Sequence, residues 1–151
     1  MKIALYQPDI PQNLGAMMRL CACMGTSLDI IEPCGFLWNE RKIRQSAMDY
    51  YDGIDITRHN NWDNFFDMYQ GQGRRIVLMT TKSSEPYYDF EFRDTDILLA
   101  GRESAGVPEN VHAAVQGRIC IPMEGDFRSL NIVNATSMIL GEAIRQTKWN
   151  I

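Results

Sequence analysis

The chain has 151 residues, with 15 Lys plus Arg against 19 Asp plus Glu and a formal net charge of −4. That length predicts one domain, residues 1–151, with a core of its own and no room for a separate binding domain. Composition is ordinary for a globular chain, no stretch reaches the ~18 apolar residues of a membrane span, and the acidic balance taken alone argues against a nucleic-acid partner.

In chain order, Ile3–Tyr6 reads as a short buried strand. It is too short for the apolar region of a signal peptide, so the protein is expected in the cytoplasm. Pro11–Met24 carries Leu14, Met17, Met18 and Cys21 at helical spacing, with Gly25 as a stop. Ser27–Ile31 reads as a strand, Asn39–Met48 as a short polar helix and Ile54–Thr57 as a further strand. Trp62–Tyr69 reads as a helix ended by Gly71-Gln72-Gly73. Arg75–Thr80 and Asp96–Ala100 are predicted strands, and Pro108–Ala114 is a short helix with Pro in its first turn. Arg118–Ile121 is a strand stopped by Pro122, and Asn131–Lys148 is the longest helix.

Strands alternating with helices predict an α/β domain, a mostly parallel sheet with helices on both faces. Ligands of such sheets bind at the carboxyl ends of strands, near a topological switch. The loops after Tyr6, Thr80, Ala100 and Ile121 are therefore the ones to inspect.

Cys21, Cys23, Cys34 and Cys120, with His59 and His112, do not form two closely spaced ligand pairs. No metal is expected, and the cysteines read as reduced thiols. His59 reads as a lone surface side chain, the nine Met as fillers of core gaps, and Arg74-Arg75 as charge at a strand edge. Arg41, Lys42 and Arg44 read as a solvated helix face.

Three stretches are unusual. The first, Pro8-Asp9-Ile10-Pro11-Gln12-Asn13-Leu14-Gly15 with Arg19, opens the first helix, where free amides favour an anion and Arg19 offers a fork for phosphate. The second, Gly101-Arg102-Glu103-Ser104-Ala105-Gly106-Val107-Pro108, is a glycine-bearing loop after a strand. Gly101 there suits either close approach of a ligand or a positive φ. It is neither a dinucleotide fingerprint nor a P-loop. The third joins Ile121-Pro122-Met123 to Ser129-Leu130-Asn131-Ile132-Val133-Asn134-Ala135, with Ser129 a plausible N-cap. Each stretch alone is compatible with ordinary helix capping and turns.

Taken in order, the three stretches resemble the three motifs of the SPOUT class of RNA methyltransferases, in particular the SpoU (TrmH-type) branch that methylates ribose 2′-hydroxyls. Within it the chain is similar to the small tRNA (cytidine/uridine-2′-O-)methyltransferases that act at the wobble nucleotide. The likeness extends to Ile30–Phe36, Ala47–Tyr50 and Thr80–Lys82, and so covers nearly the whole chain. Arg102 departs from the pattern, since relatives often carry Pro or Ser there.

The resemblance implies a C-terminal deep trefoil knot, with Asn131–Lys148 as the threaded segment. It implies S-adenosylmethionine held by Met79, Gly101, Ile121 and Ser129, with Thr80, Leu130 and Met123 beside them. It implies a homodimer with the site at the interface, so that Arg19 works at the partner's pocket. Arg19, Asn13, Glu103 and Asn131 are the implied catalytic set. Arg19 clamps phosphate, Glu103 and Asn131 orient Arg19 or the ribose, and Asn13 fixes its own loop. Arg19, Arg41, Arg44, Lys82 and Arg128 are the expected tRNA contacts. Glu85, Asp89, Glu91, Asp94 and Asp96 cluster elsewhere in the chain, so a basic patch on an acidic body is expected. The alternatives are a different tRNA or rRNA nucleotide, or a binding module without catalysis.

Overall fold

The structure is a computed structural model, and it describes residues 1–148. Six strands form one fully parallel sheet: β1 (Lys2–Tyr6), β2 (Ser27–Ile31), β3 (Ile56–His59), β4 (Ile76–Met79), β5 (Ile97–Ala100) and β6 (Gly117–Ile119). Their order is β3-β2-β1-β5-β4-β6. Helices α1 (Pro11–Met24), α2 (Glu40–Ala47), α3 (Trp62–Gly71), α4 (Glu109–Ala114) and α5 (Ile132–Thr147) connect and follow them, with a 3-10 helix at Met48–Gly53.

Both faces of the sheet are covered, which is why its strands read as apolar runs rather than as apolar–polar alternation. Along β1, Ile3 and Leu5 point to one face, against Leu14, Met17 and Met18 of α1 and Ile139 and Leu140 of α5. Ala4 and Tyr6 point to the other, against Trp62, Phe65 and Tyr69 of α3. Helix α1 keeps the expected bounds. Pro11 sits in its first turn and Gly25 caps it in the left-handed region, at φ 62°.

Several expectations are corrected. Strand β3 begins two residues later than expected, because the Met48–Gly53 helix occupies the approach to it; the first tie to β2 is Leu28 N–H to Asp55 C=O at 2.9 Å. Strand β6 ends at Ile119, and Cys120 instead bridges Pro86. The cap of α5 is Asn131 rather than Ser129; its side chain accepts from the Val133 and Asn134 amides.

His59 is 4% exposed, not a surface side chain. Its ring meets Asp29 at 3.0 Å, and the fully buried Asp29 carboxylate also accepts from Lys2 Nζ at 2.9 Å and from the Tyr69 hydroxyl. Arg75 forks onto the buried Asp96 at 2.9 and 2.7 Å, so neither behaves as free surface charge and Asp96 leaves the acidic surface set. Met17 and Met18 fill the core, but Met48, Met68 and Met138 are exposed.

Candidate active site

Strand order reverses direction between β1 and β5, since β2 and β3 extend the sheet to one side and β4 and β6 to the other. Loops leaving the carboxyl ends of these two strands therefore diverge and open a crevice. Residues of all three unusual stretches meet there.

The Asp9 and Glu103 side chains lace the loops together reciprocally. Glu103 accepts from Asp9 N–H at 3.0 Å, while Asp9 accepts from Glu103 N–H at 3.2 Å and from the Ser104 hydroxyl. Asn13 donates to Glu103 at 3.4 Å, and Asn131 donates to Asn13 at 3.1 Å. A polar chain thus runs Asn131–Asn13–Glu103–Asp9, joining residues up to 118 positions apart. Burial pushes the Glu103 carboxyl above its ordinary range, and its contact with Asp9 adds to the rise. The Asp9 carboxyl is held low, chiefly by the hydrogen bond to Glu103.

The second loop closes on itself. Arg102 and Gly106 exchange two backbone hydrogen bonds, at 3.0 and 2.9 Å. Gly106 takes the left-handed φ of 65°. Gly101 does not; it is constrained because a Cβ there would lie 2.7 Å from the Gly106 carbonyl carbon. The glycine at 101 therefore serves approach of the loop's own backbone.

A cavity of about 500 Å³ lies against these loops. All seven expected cofactor contacts line it: Met79 and Thr80 after β4, Gly101 after β5, Ile121 and Met123 after β6, and Ser129 and Leu130 before α5. Asn13, Glu103, Asn131 and Lys82 also reach its wall. Arg19, Arg41, Arg44 and Arg128 do not. Arg44 is engaged elsewhere, bonding Glu40 at 3.1 Å and Asp52 at 2.7 Å.

The chain belongs to the SpoU rRNA methylase family. The family model matches residues 1–141. A relative from Beijerinckia indica subsp. indica, a tRNA (cytidine(34)-2′-O)-methyltransferase, is 54% identical over 95% of this chain and 90% of its own. A solved structure described as giving insights into the 2-OH methylation of C/U34 on tRNA superposes with a TM-score of 0.90, at 36% identity over 96% of this chain and 94% of that one. An AdoMet-bound rRNA methyltransferase from Sinorhizobium meliloti superposes at 0.86, with 26% identity over 95% of this chain and 55% of that one.

Sequence reasoning passed over two residues of this site. Asp9 was visible in the first stretch, but an Asp between two prolines reads as turn chemistry until its partner across the chain is known. His112 lines the cavity, and its Nε2 is shut off from solvent without a hydrogen-bond partner among the described residues. Nothing in the sequence around it signals that position. Among the described residues no cluster of three His, Cys, Asp or Glu side chains is placed to hold a metal, and no helix is long and apolar enough to cross a membrane.

Proposed function

We propose that this chain, acting as one domain over residues 1–151, transfers a methyl group from S-adenosylmethionine to the ribose 2′-hydroxyl of a tRNA wobble nucleotide, cytidine or uridine. The observation that carries this reading is the meeting of all three motif loops at one cavity, laced by the Asn131–Asn13–Glu103–Asp9 chain. The names of the wobble-nucleotide relative and of the C/U34 structure support the choice of nucleotide.

The residues present fit the cofactor. The cavity wall is mixed in character, and His112 brings to it a buried ring nitrogen lacking a partner, which a polar ligand group would satisfy. Met79, Thr80, Gly101, Ile121, Met123, Ser129 and Leu130 would hold it. When bound, it supplies a methyl group on a sulfonium, already a good electrophile.

The protein's part is then placement. Alignment of oxygen, methyl and sulfur can supply ~7–11 kcal/mol in favourable cases. Arg19 binds the phosphate beside the reacting ribose and stabilises charge there. Glu103 and Asn131 fix the loops around the ribose through Asn13, rather than touching Arg19 of their own chain.

Two further assignments belong to this reading. The segment Asn131–Lys148 passes through a deep trefoil knot, a reading supported by the loop before α5 lining one cavity with the loop that begins at Gly101. The protein acts as a homodimer with Arg19 reaching the partner's cavity. Support comes from Arg19 standing off its own chain's cavity and from the exposed apolar Phe127, Leu130 and Met138 nearby.

The deciding experiment is mass-spectrometric mapping of ribose methylation in tRNA from cells lacking this protein, with restoration of the mark by purified protein and S-adenosylmethionine. Loss and restoration at the wobble nucleotide are expected. A mark lost at another tRNA or an rRNA position reassigns the substrate, and cofactor binding without any transfer makes the chain a binding module.

A further inference from the structure

Arg19 lies on the exposed side of α1, and among the described residues its guanidinium makes no hydrogen bond or ion pair. Its guanidinium carbon lies over the ring of Tyr50, 5.1 Å from the centroid. Tyr50 is half-buried in the 3-10 helix that follows α2.

That helix is braced from two directions. Helix α2 packs against α1 so closely that a Cβ on Gly15 would meet Ser46 Cβ at 2.5 Å. Arg44, at the end of α2, bonds Asp52 at 2.7 Å and lies over the Tyr51 ring at 4.0 Å. The bracing holds Tyr50 in place beside Arg19.

The two arginines make the useful contrast. Both lie over a tyrosine ring, but the donors of Arg44 are also occupied by Glu40 and Asp52. A guanidinium is planar and its N–H donors lie in that plane. An aromatic ring carries no carboxylate or carbonyl acceptor, so contact with it ties those donors to no fixed oxygen partner. A neutral ring also adds no counter-charge, so Arg19 keeps both its charge and its fork.

We propose that Tyr50 is the positioning residue for Arg19, holding the guanidinium against its ring so that its donors stay free for the tRNA phosphate. The assignment rests on the role given to Arg19 above. It gives Arg44 a structural part, as the brace of the Tyr50 helix, in place of direct contact with tRNA.

The test compares Tyr50→Leu and Tyr50→Phe in three measurements: kcat for tRNA methylation, calorimetric affinity for S-adenosylhomocysteine, and the side-chain N–H resonance of Arg19 in a nitrogen-15 spectrum. The signal missing from Arg19→Lys assigns that resonance. Tyr50→Leu is expected to lower kcat roughly 3- to 30-fold, the range a guanidinium–ring contact supports. Affinity for S-adenosylhomocysteine stays within about twofold of wild type, and the Arg19 resonance loses its ring-current shift. Tyr50→Phe keeps the ring and restores both kcat and the shift. Four outcomes overturn the proposal: wild-type kcat in Tyr50→Leu, an unmoved Arg19 resonance, Tyr50→Phe falling as far as Tyr50→Leu, or loss of cofactor affinity along with kcat. Wild-type turnover in Arg19→Ala would instead remove the role given to Arg19, a separate failure that takes this inference with it.

Discussion

A Cβ on Gly101 would lie 2.7 Å from the Gly106 carbonyl carbon and 2.8 Å from its Cα, both backbone atoms that a side-chain rotation cannot move aside. Gly101→Ala must therefore force the Arg102–Gly106 backbone pair apart at the cavity wall. A stability loss of about 1–3 kcal/mol is expected in urea titration, as for other overpacked sites. Affinity for S-adenosylhomocysteine should fall with it, and a variant with wild-type affinity would show that the loop opens without disturbing the cavity. Arg19 predicts the opposite separation. It lies outside its own chain's cavity, so Arg19→Ala should abolish methyl transfer yet leave cofactor affinity near wild type. Loss of cofactor binding in that variant would contradict a phosphate-clamp role.

At the scale of elements, strands β1, β2 and β3 and helix α3 are tied together by one carboxylate. Asp29 is fully buried and receives Lys2, His59 and Tyr69. Asp29→Ala leaves those partners without their acceptor and should cost about 3–5 kcal/mol, read from denaturant midpoints. The network also predicts alkaline sensitivity. Burial opposes the Lys2 ammonium, but its hydrogen bonds to Asp29 and Tyr69 outweigh it and hold its pKa above the ordinary 10.5. Burial first, and then the bond to Asp29, raises the Tyr69 hydroxyl above 10.0. Folding thus favours the protonated form of both groups. Their contribution is complete below the unfolded values and is lost as pH climbs through the raised folded ones. The melting temperature should therefore drop above about pH 10, and less steeply in Asp29→Asn, where the ion pair is already gone.

For the whole molecule, the net charge of −4 is a sum that says little about the face turned to RNA. Arg75 is neutralised by Asp96 inside the fold, and Arg44 by Glu40 and Asp52 at the surface. Arg41, Lys82 and Arg128 are exposed, and among the described residues they carry no ion pair. Of the five expected tRNA contacts, these three and Arg19 are the ones free of an ion pair. Affinity for tRNA should fall linearly in a log–log plot against salt. Replacing Arg41, Lys82 and Arg128 by Gln should flatten that slope by roughly 0.7–0.9 for each true contact. An unchanged slope would place the RNA on another face.

Much was legible from the chain alone because the signals are local. Pro11 and Gly25 bound α1, apolar runs mark strands covered on both faces, and the three motif stretches stand in order with their glycines and polar side chains. Those patterns are written within a few residues of one another, at the spacings of helix and strand. What the sequence could not carry was which of those groups would meet. Asn13 and Glu103 meet because β1 and β5 are neighbours in the sheet, and Asn131 reaches Asn13 because α5 packs against α1, across 90 and 118 positions of chain. Strand order likewise buries His59 against Asp29, and long-range pairing sets Arg75 against Asp96. Two arginines that look alike in sequence, Arg19 and Arg44, part company for the same reason. A side chain's free charge depends on its neighbours in space, and only the packed fold supplies them.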